Sequence, residues 1–202
     1  MPQHTSRALS VSLFVVVLLL FALYPPLNVP RAPLHDLHTA LDGRIPLIPA
    51  FAIPYLSFYV FLILTAVVLV VRDRNCFNQY LFALILCMCV AYVCYGFFQT
   101  QVIRPLQLPT GSLSGLIRAI YASDNPYNDF PSLHVALSTV ATLFLARQIK
   151  PYWPFVVWGS LICVSTLFVK QHYIADVIAG LVLAVIATRM GRNAFSSLAA
   201  RA

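Results

Sequence analysis

Apolar residues run along this chain in long stretches, each closed by a short cluster of polar ones. A helix needs about 20 apolar residues to cross the hydrocarbon core of a bilayer. The first stretch, Leu9 to Leu27, has that length, with Arg7 before it and Pro25-Pro26 near its end. A second runs from Pro46 to Val71, its opening turns made irregular by Pro46, Pro49 and Pro54. A third covers Phe77 to Phe98, and a fourth Pro131 to Leu145. From Pro151 to Met190 the only polar break is Lys170-Gln171-His172. That stretch is about twice what a bilayer requires, so it predicts two spans with a tight reversal near Lys170.

The connectors are uneven. Asn28 to Arg44 is polar and carries His35, Asp36, His38 and Asp42. Pro105 to Phe130 is the longest non-spanning stretch. In it, Ser112 to Tyr121 predicts a short amphipathic helix, and Asp124-Asn125-Pro126-Tyr127-Asn128-Asp129 is dense in turn formers. A loop this long in so short a chain is more often functional than idle. The expected fold is therefore an all-α integral membrane protein, residues 1–202 forming one domain of six transmembrane helices in one bundle.

Composition sharpens this. Of 202 residues, 60% are hydrophobic and only 9% charged, against about a quarter charged in soluble domains; mean hydropathy is +0.84. The net charge of +7 does not signal nucleic acid, because the basic residues mark the ends of apolar runs instead of clustering on one face. The five cysteines have neither zinc-ligand spacing nor a loop framework.

The charge does orient the chain. With six spans, one side holds Arg7, Arg72, Arg74, Arg147, Lys150, Arg189, Arg192 and Arg201 against Asp73 alone. The other holds Arg31, Arg44, Arg104, Arg118 and Lys170 against Asp36, Asp42, Asp124, Asp129 and Asp176. The positive-inside rule puts both termini in the cytoplasm and every histidine except His4 on the opposite face of the cell membrane.

Three segments with chemistry to offer meet on that outer face: Arg104-Pro105, Pro131-Ser132-Leu133-His134, and Lys170-Gln171-His172 with Asp176. His172 and Asp176 are four apart and share a helix face, so the carboxylate can orient the imidazole. His134 opens a helix beside Ser132, where free N–H groups attract phosphate. Arg104 and Lys170 supply positive charge. Such a set suits phosphoryl transfer, with one imidazole attacking phosphorus and the other protonating the leaving oxygen. A metal triad of two histidines and Asp176 is disfavoured by the cations beside it.

These segments resemble the three signature motifs of the type-2 phosphatidic acid phosphatase family, which includes vanadium haloperoxidases. The first family motif is Lys, six residues, Arg-Pro; Arg104-Pro105 match, and Phe97 stands at the Lys position. The second, Pro-Ser-Gly-His, is Pro131-Ser132-Leu133-His134 here. The third is Ser-Arg, five residues, His, three residues, Asp; Ser165, His172 and Asp176 match, with Thr166 at the Arg position. The resemblance covers about residues 99–180. It implies His172 as nucleophile, Asp176 as its partner and His134 as the acid, with Arg104, Ser132 and Ser165 at the phosphate, a lipid phosphate or pyrophosphate as substrate, and no metal or cofactor. Two family cations are missing. Lys170, four residues after Thr166 on a continuing helix, is one expected replacement; Gln101, four after Phe97, is a neutral one. The string Asn125 to His134 with Lys170-Gln171-His172-Tyr173 is more similar to the inositol-phosphorylceramide synthase branch, which implies transfer of a phosphorylated head group to a lipid alcohol. From another class, a transporter of an anionic solute would also place polar breaks near span ends.

Overall fold

The structure is a computed structural model that describes residues 7–31, 33–108 and 110–200, with side chains to residue 195. His4 and Arg201, both used in the sidedness reading, lie outside the described residues. Among the described residues there are eight α-helices, all but the connector helix α5 along the apolar runs: α1 (Arg7–Leu27), α2 (Ala52–Leu56), α3 (Phe58–Arg72), α4 (Arg74–Phe97), α5 (Ser114–Ser123), α6 (Leu133–Gln148), α7 (Trp153–Phe168) and α8 (Ile174–Ala200). The proline-rich start of the second run is irregular as expected. A 3-10 turn over Pro49–Phe51 leads into α2, and a break at Ser57 separates α2 from α3.

α6 is the central helix, packed against α3, α4, α7 and α8, while α1 lies at the edge on α4. Val135, Ala136, Leu137, Val140, Ala141, Phe144 and Leu145 of α6 are buried in the main core. Outward faces of α1, α3 and α8 expose Leu19, Ile63, Val71 and Ile178, as lipid contact demands of a multi-pass membrane protein.

By length and composition four segments can cross a membrane: Arg7–Leu27, Pro49–Arg72, Arg74–Phe97 and Ile174–Phe195. The expectation of six full spans is thus met for four. The remaining two, α6 and α7, have 16 residues each, about 24 Å of helix against a hydrocarbon core of about 30 Å. α6 is also diluted by Ser138, Thr139 and Thr142. A helix surrounded by other helices does not face lipid, so its sequence needs no continuous apolar coat.

The connectors gather at one end of the bundle. A two-stranded parallel ladder joins β1 (His35–Asp36) to β2 (Thr100–Gln101); apolar periodicity carries no trace of such short strands. The reversal between α7 and α8 falls where the chain length required it. Lys170 is left-handed (φ 56°), and the N–H groups of Gln171 and His172 both donate to the Thr166 carbonyl. At the other end Arg72 donates to the carbonyl of Gln148, tying the α3–α4 and α6–α7 turns together.

Candidate active site

Two helix starts build the centre. Ser132 caps α6, its hydroxyl accepting from the Val135 N–H. The N–H groups of Leu133 and His134 have no acceptor among the described residues. α8 is started by two carboxylates. Asp176, in its first turn, accepts from the Tyr173 N–H (2.8 Å), and Asp42 reaches in from the connector to accept from Ile174 N–H (2.8 Å). Burial alone would raise the Asp42 carboxyl, but hydrogen bonds from Thr39 and Ile174 hold it below the usual carboxylate range. The two starts touch where the Ser132 N–H donates to the Asp176 carbonyl (3.2 Å).

This contact brings the histidines together. The rings of His134 and His172 are 6.3 Å apart between centroids, although 38 positions separate them in sequence. His172 Nδ1 lies 3.5 Å from Asp176 Oδ2, close enough for an ion pair yet outside hydrogen-bond geometry. Asp176 is fully buried and His172 nearly so, at 0% and 8% exposure. His134 has no carboxylate partner among the described residues. It is held between Tyr55 (4.3 Å, stacked) and Phe58 (4.3 Å, tilted).

Arg104 is fixed beside this pair. Its guanidinium donates to the carbonyls of Asp124 (2.8 Å) and Tyr121 (3.3 Å) and to the Gln171 side-chain oxygen (2.7 Å), and lies over the Tyr121 ring. Arg104 Nε, Gln171 Nε2, His172 Nδ1, Asp129 Oδ2 and Asp176 Oδ1 are all buried without a hydrogen-bond partner among the described residues. Native interiors leave few such atoms, and a group of them marks a site that expects a ligand. Three of the five are nitrogens of cationic or donor side chains, which suits an anion.

Two acids adjoin the cluster. Asp124 accepts from the Tyr24 hydroxyl (3.1 Å) and the Asn28 amide (2.7 Å); burial nevertheless pushes its carboxyl up. Burial pushes Asp129 much further, reinforced by the charges of Asp176 and Asp124. Thr100 holds this loop by accepting from the N–H groups of Asp129 and Phe130 (both 3.0 Å). Against the histidines opens a cavity of about 260 Å³, walled by Tyr24 of α1, Tyr55 and Tyr59 of the second run, Tyr92 and Tyr95 of α4, and Asp124.

The sequence of this end matches a known group. The sequence model of the PAP2 superfamily covers residues 33–190. The chain belongs to the PAP2 superfamily. No curated protein matches it. Among solved structures it is similar to the crystal structure of Aquifex aeolicus LpxE, with 17% identity over 86% of this chain and 94% of that one and a TM-score of 0.51, which is a likeness of fold.

Within this PAP2 fold the sequence-predicted residues separate. His134, His172, Asp176, Ser132 and Arg104 are gathered at one end of the bundle. Ser165 is buried one turn below and donates to the Ile162 carbonyl of its own helix. Lys170 departs from expectation: α7 stops at Phe168, so the helix does not continue, and the ammonium donates to the carbonyls of Asp42 (3.2 Å) and Ile45. Gln101 departs likewise. It lies on β2 paired with Asp36 and bridged to Tyr127; successive strand residues face opposite ways, and Thr100 takes the side toward Asp129. At the family's cation positions Phe97 is 90% exposed, and Thr166 donates to the Cys163 carbonyl. Sequence reading missed Gln171, whose signal was an amide interrupting forty apolar residues, and Asp124 and Asp129, which read as turn formers.

Proposed function

We propose that this chain is a membrane phosphatase acting on a lipid phosphate or lipid pyrophosphate through a phosphohistidine. The observation that carries this is the 6.3 Å gap between His134 and His172, bordered by Asp176 and by the unpartnered donors of Arg104 and Gln171. Asp176 lies on the Nδ1 side of His172, so the Nδ1–H is directed to the carboxylate and the Nε2 lone pair is the nucleophile. Nε2 forms a bond to phosphorus while the bond from phosphorus to the lipid oxygen breaks; His134 gives that oxygen its proton. His134, now neutral, takes a proton from water, whose oxygen attacks phosphorus and frees Nε2. Arg104, Gln171 and the N–H groups of Leu133 and His134 hold the equatorial oxygens as charge builds there. The site's own residues account for each of these roles without a metal. The aromatic cavity beside the histidines takes the apolar part of the substrate.

The topology proposed with it is six spans in the cell membrane, both termini cytoplasmic and the histidines outside, supported by the one-sided distribution of Lys and Arg. A second reading, transfer of the phosphorylated head group to a lipid alcohol in place of water, is favoured by Asp124 with the Tyr24 and Tyr55 hydroxyls on the cavity wall, polar partners for an acceptor hydroxyl.

The test is incubation of the purified protein with phosphatidic acid, a polyprenyl pyrophosphate and, as head-group donor, phosphatidylinositol, with and without a lipid alcohol. Free phosphate, abolished by His172→Ala, supports hydrolysis. A head group found on the alcohol supports transfer. Release of neither, with binding intact, returns the chain to the anion-transporter class.

A further inference from the structure

At the end of the bundle away from the histidines, α6, the turn after it and α8 enclose a concavity of about 410 Å³. Arg147 and Lys150 line it from one side, Arg189 and Arg192 from the other. Leu143 and Val185 form an apolar wall within it, both partly open to the exterior. Among the described residues no carboxylate lines it. The acid of this end, Asp73, uses Oδ1 to accept from the N–H groups of Asn75 and Cys76 at the start of α4.

Charge bias alone explains an excess of cations at this end, and such cations ordinarily spread around the rim. It does not explain Thr188. This residue is only 6% exposed, lines the concavity, and its hydroxyl has no hydrogen-bond partner among the described residues. The hydroxyls of Thr65, Thr142 and Thr166 in the same bundle each donate to a carbonyl of their own helix; those of Ser10 and Ser138 are unpaired as well, but neither residue lines this concavity. A buried hydroxyl left unpaired costs free energy, and Thr188 stands on the wall of a four-cation hollow, where an acceptor from outside could take its hydrogen bond.

We propose that this concavity binds the head group of an anionic phospholipid, at a site separate from the histidine centre. The phosphate oxygens accept from Arg189, Arg192, Arg147 and the Thr188 hydroxyl, and the acyl chains descend along the Leu143 and Val185 wall. Arginine suits this because its planar fork pairs two donors with two phosphate oxygens. Lys150, lying over the Tyr152 ring at 4.7 Å, adds charge at the rim. A free phosphate ion offers the same oxygens but nothing to the apolar wall, and that wall favours the lipid.

The experiment titrates the purified full-length protein in neutral detergent with dioctanoyl phosphatidylglycerol, dioctanoyl phosphatidylcholine and inorganic phosphate, reading binding by native mass spectrometry. The expected order is phosphatidylglycerol well ahead of the other two. Arg189→Gln combined with Arg192→Gln weakens phosphatidylglycerol roughly thirtyfold, and Thr188→Val weakens it several-fold, while His172→Gln leaves it unchanged. Should the double variant fail to fold, Thr188→Val with Lys150→Gln gives the same reading with smaller loss. Equal binding by wild type and the Thr188 and arginine variants overturns the proposal. Full competition by inorganic phosphate, or loss of binding in His172→Gln, overturns it as well, the latter by assigning the lipid to the histidine site.

Discussion

A Cβ placed on Gly180 would stand 2.7 Å from the carbonyl oxygen of Ser132 and 3.0 Å from Cβ of Val135. The bare backbone of α8 therefore lies directly on the first turn of α6, and this contact seats Ser132 against Asp176 and sets the gap between the two histidines. Substituting Gly180→Ala must push the helices apart, because a backbone carbonyl cannot swing away as a side-chain tip can. Overpacking of this kind costs about 1–3 kcal/mol. The expected result is a lower melting temperature in detergent and a fall in phosphate release larger than the loss of folded protein explains. Unchanged turnover in a folded Gly180→Ala protein would show that the crossing does not set the catalytic gap.

Arg104 and Lys170 divide in the same way between chemistry and scaffold. Arg104→Ala removes the one guanidinium bound to Gln171 and Asp124, and turnover should fall about a hundredfold or more, as loss of a transition-state donor does. Lys170→Ala removes two bonds to connector carbonyls, so its effect should be on stability of the Asn28 to Arg44 segment, with turnover per folded molecule near wild type. Measured side by side by phosphate release and thermal unfolding, equal losses of turnover would return Lys170 to the phosphate.

How much of this was readable beforehand depended on the distance over which each signal acts. Runs of twenty apolar residues and the spacing of His172 to Asp176 are local signals: four of the runs form helices of spanning length, and the two side chains meet, although His172 lies just before α8 and not on it. Motif order also placed His134, Arg104 and Ser132 together, and the structure has them at one end of the bundle. The fates of Lys170 and Gln101 were not local. Each was projected along a helix that ends before reaching it, α7 at Phe168 and α4 at Phe97, and helix ends are decided by partners elsewhere: Asp42 for the reversal, His35 and Asp36 for the strand. Gly180 had no signal at all, since only the approach of Ser132 gives it meaning.

Asp176 should matter to catalysis through His172. Asp176→Asn keeps the shape but takes away the charge that orients and stabilises the imidazole, and a loss of about 10²–10⁴-fold in kcat is expected. In this division of roles His172 attacks as the free base and His134 carries the proton for the leaving oxygen. The variant should lose kcat far more than it changes KM, since Asp176 acts through the attacking imidazole. A folded Asp176→Asn protein that keeps wild-type kcat, with phosphate release measured under substrate saturation, would count against the division of roles.

Asp129 makes the last prediction, and its sign follows from burial. Its carboxyl is pushed well above the usual range, first by burial and then by Asp176 and Asp124. A group that holds its proton more tightly folded than unfolded favours the folded state at low pH. That advantage is lost as pH rises from the ordinary carboxylate range through the raised folded value, and ionisation above it carries a penalty. Asp129→Asn replaces the neutral carboxyl with a neutral amide and removes the titration. At neutral and alkaline pH the variant should melt higher than wild type, while below about pH 4 the two should converge. Turnover should survive, because a neutral Asp129 has no charge to give the phosphate. If instead Asp129→Asn melts lower at pH 8 than wild type, the ionised carboxylate is being used, and the unpartnered Oδ2 must then meet a donor brought in by the substrate.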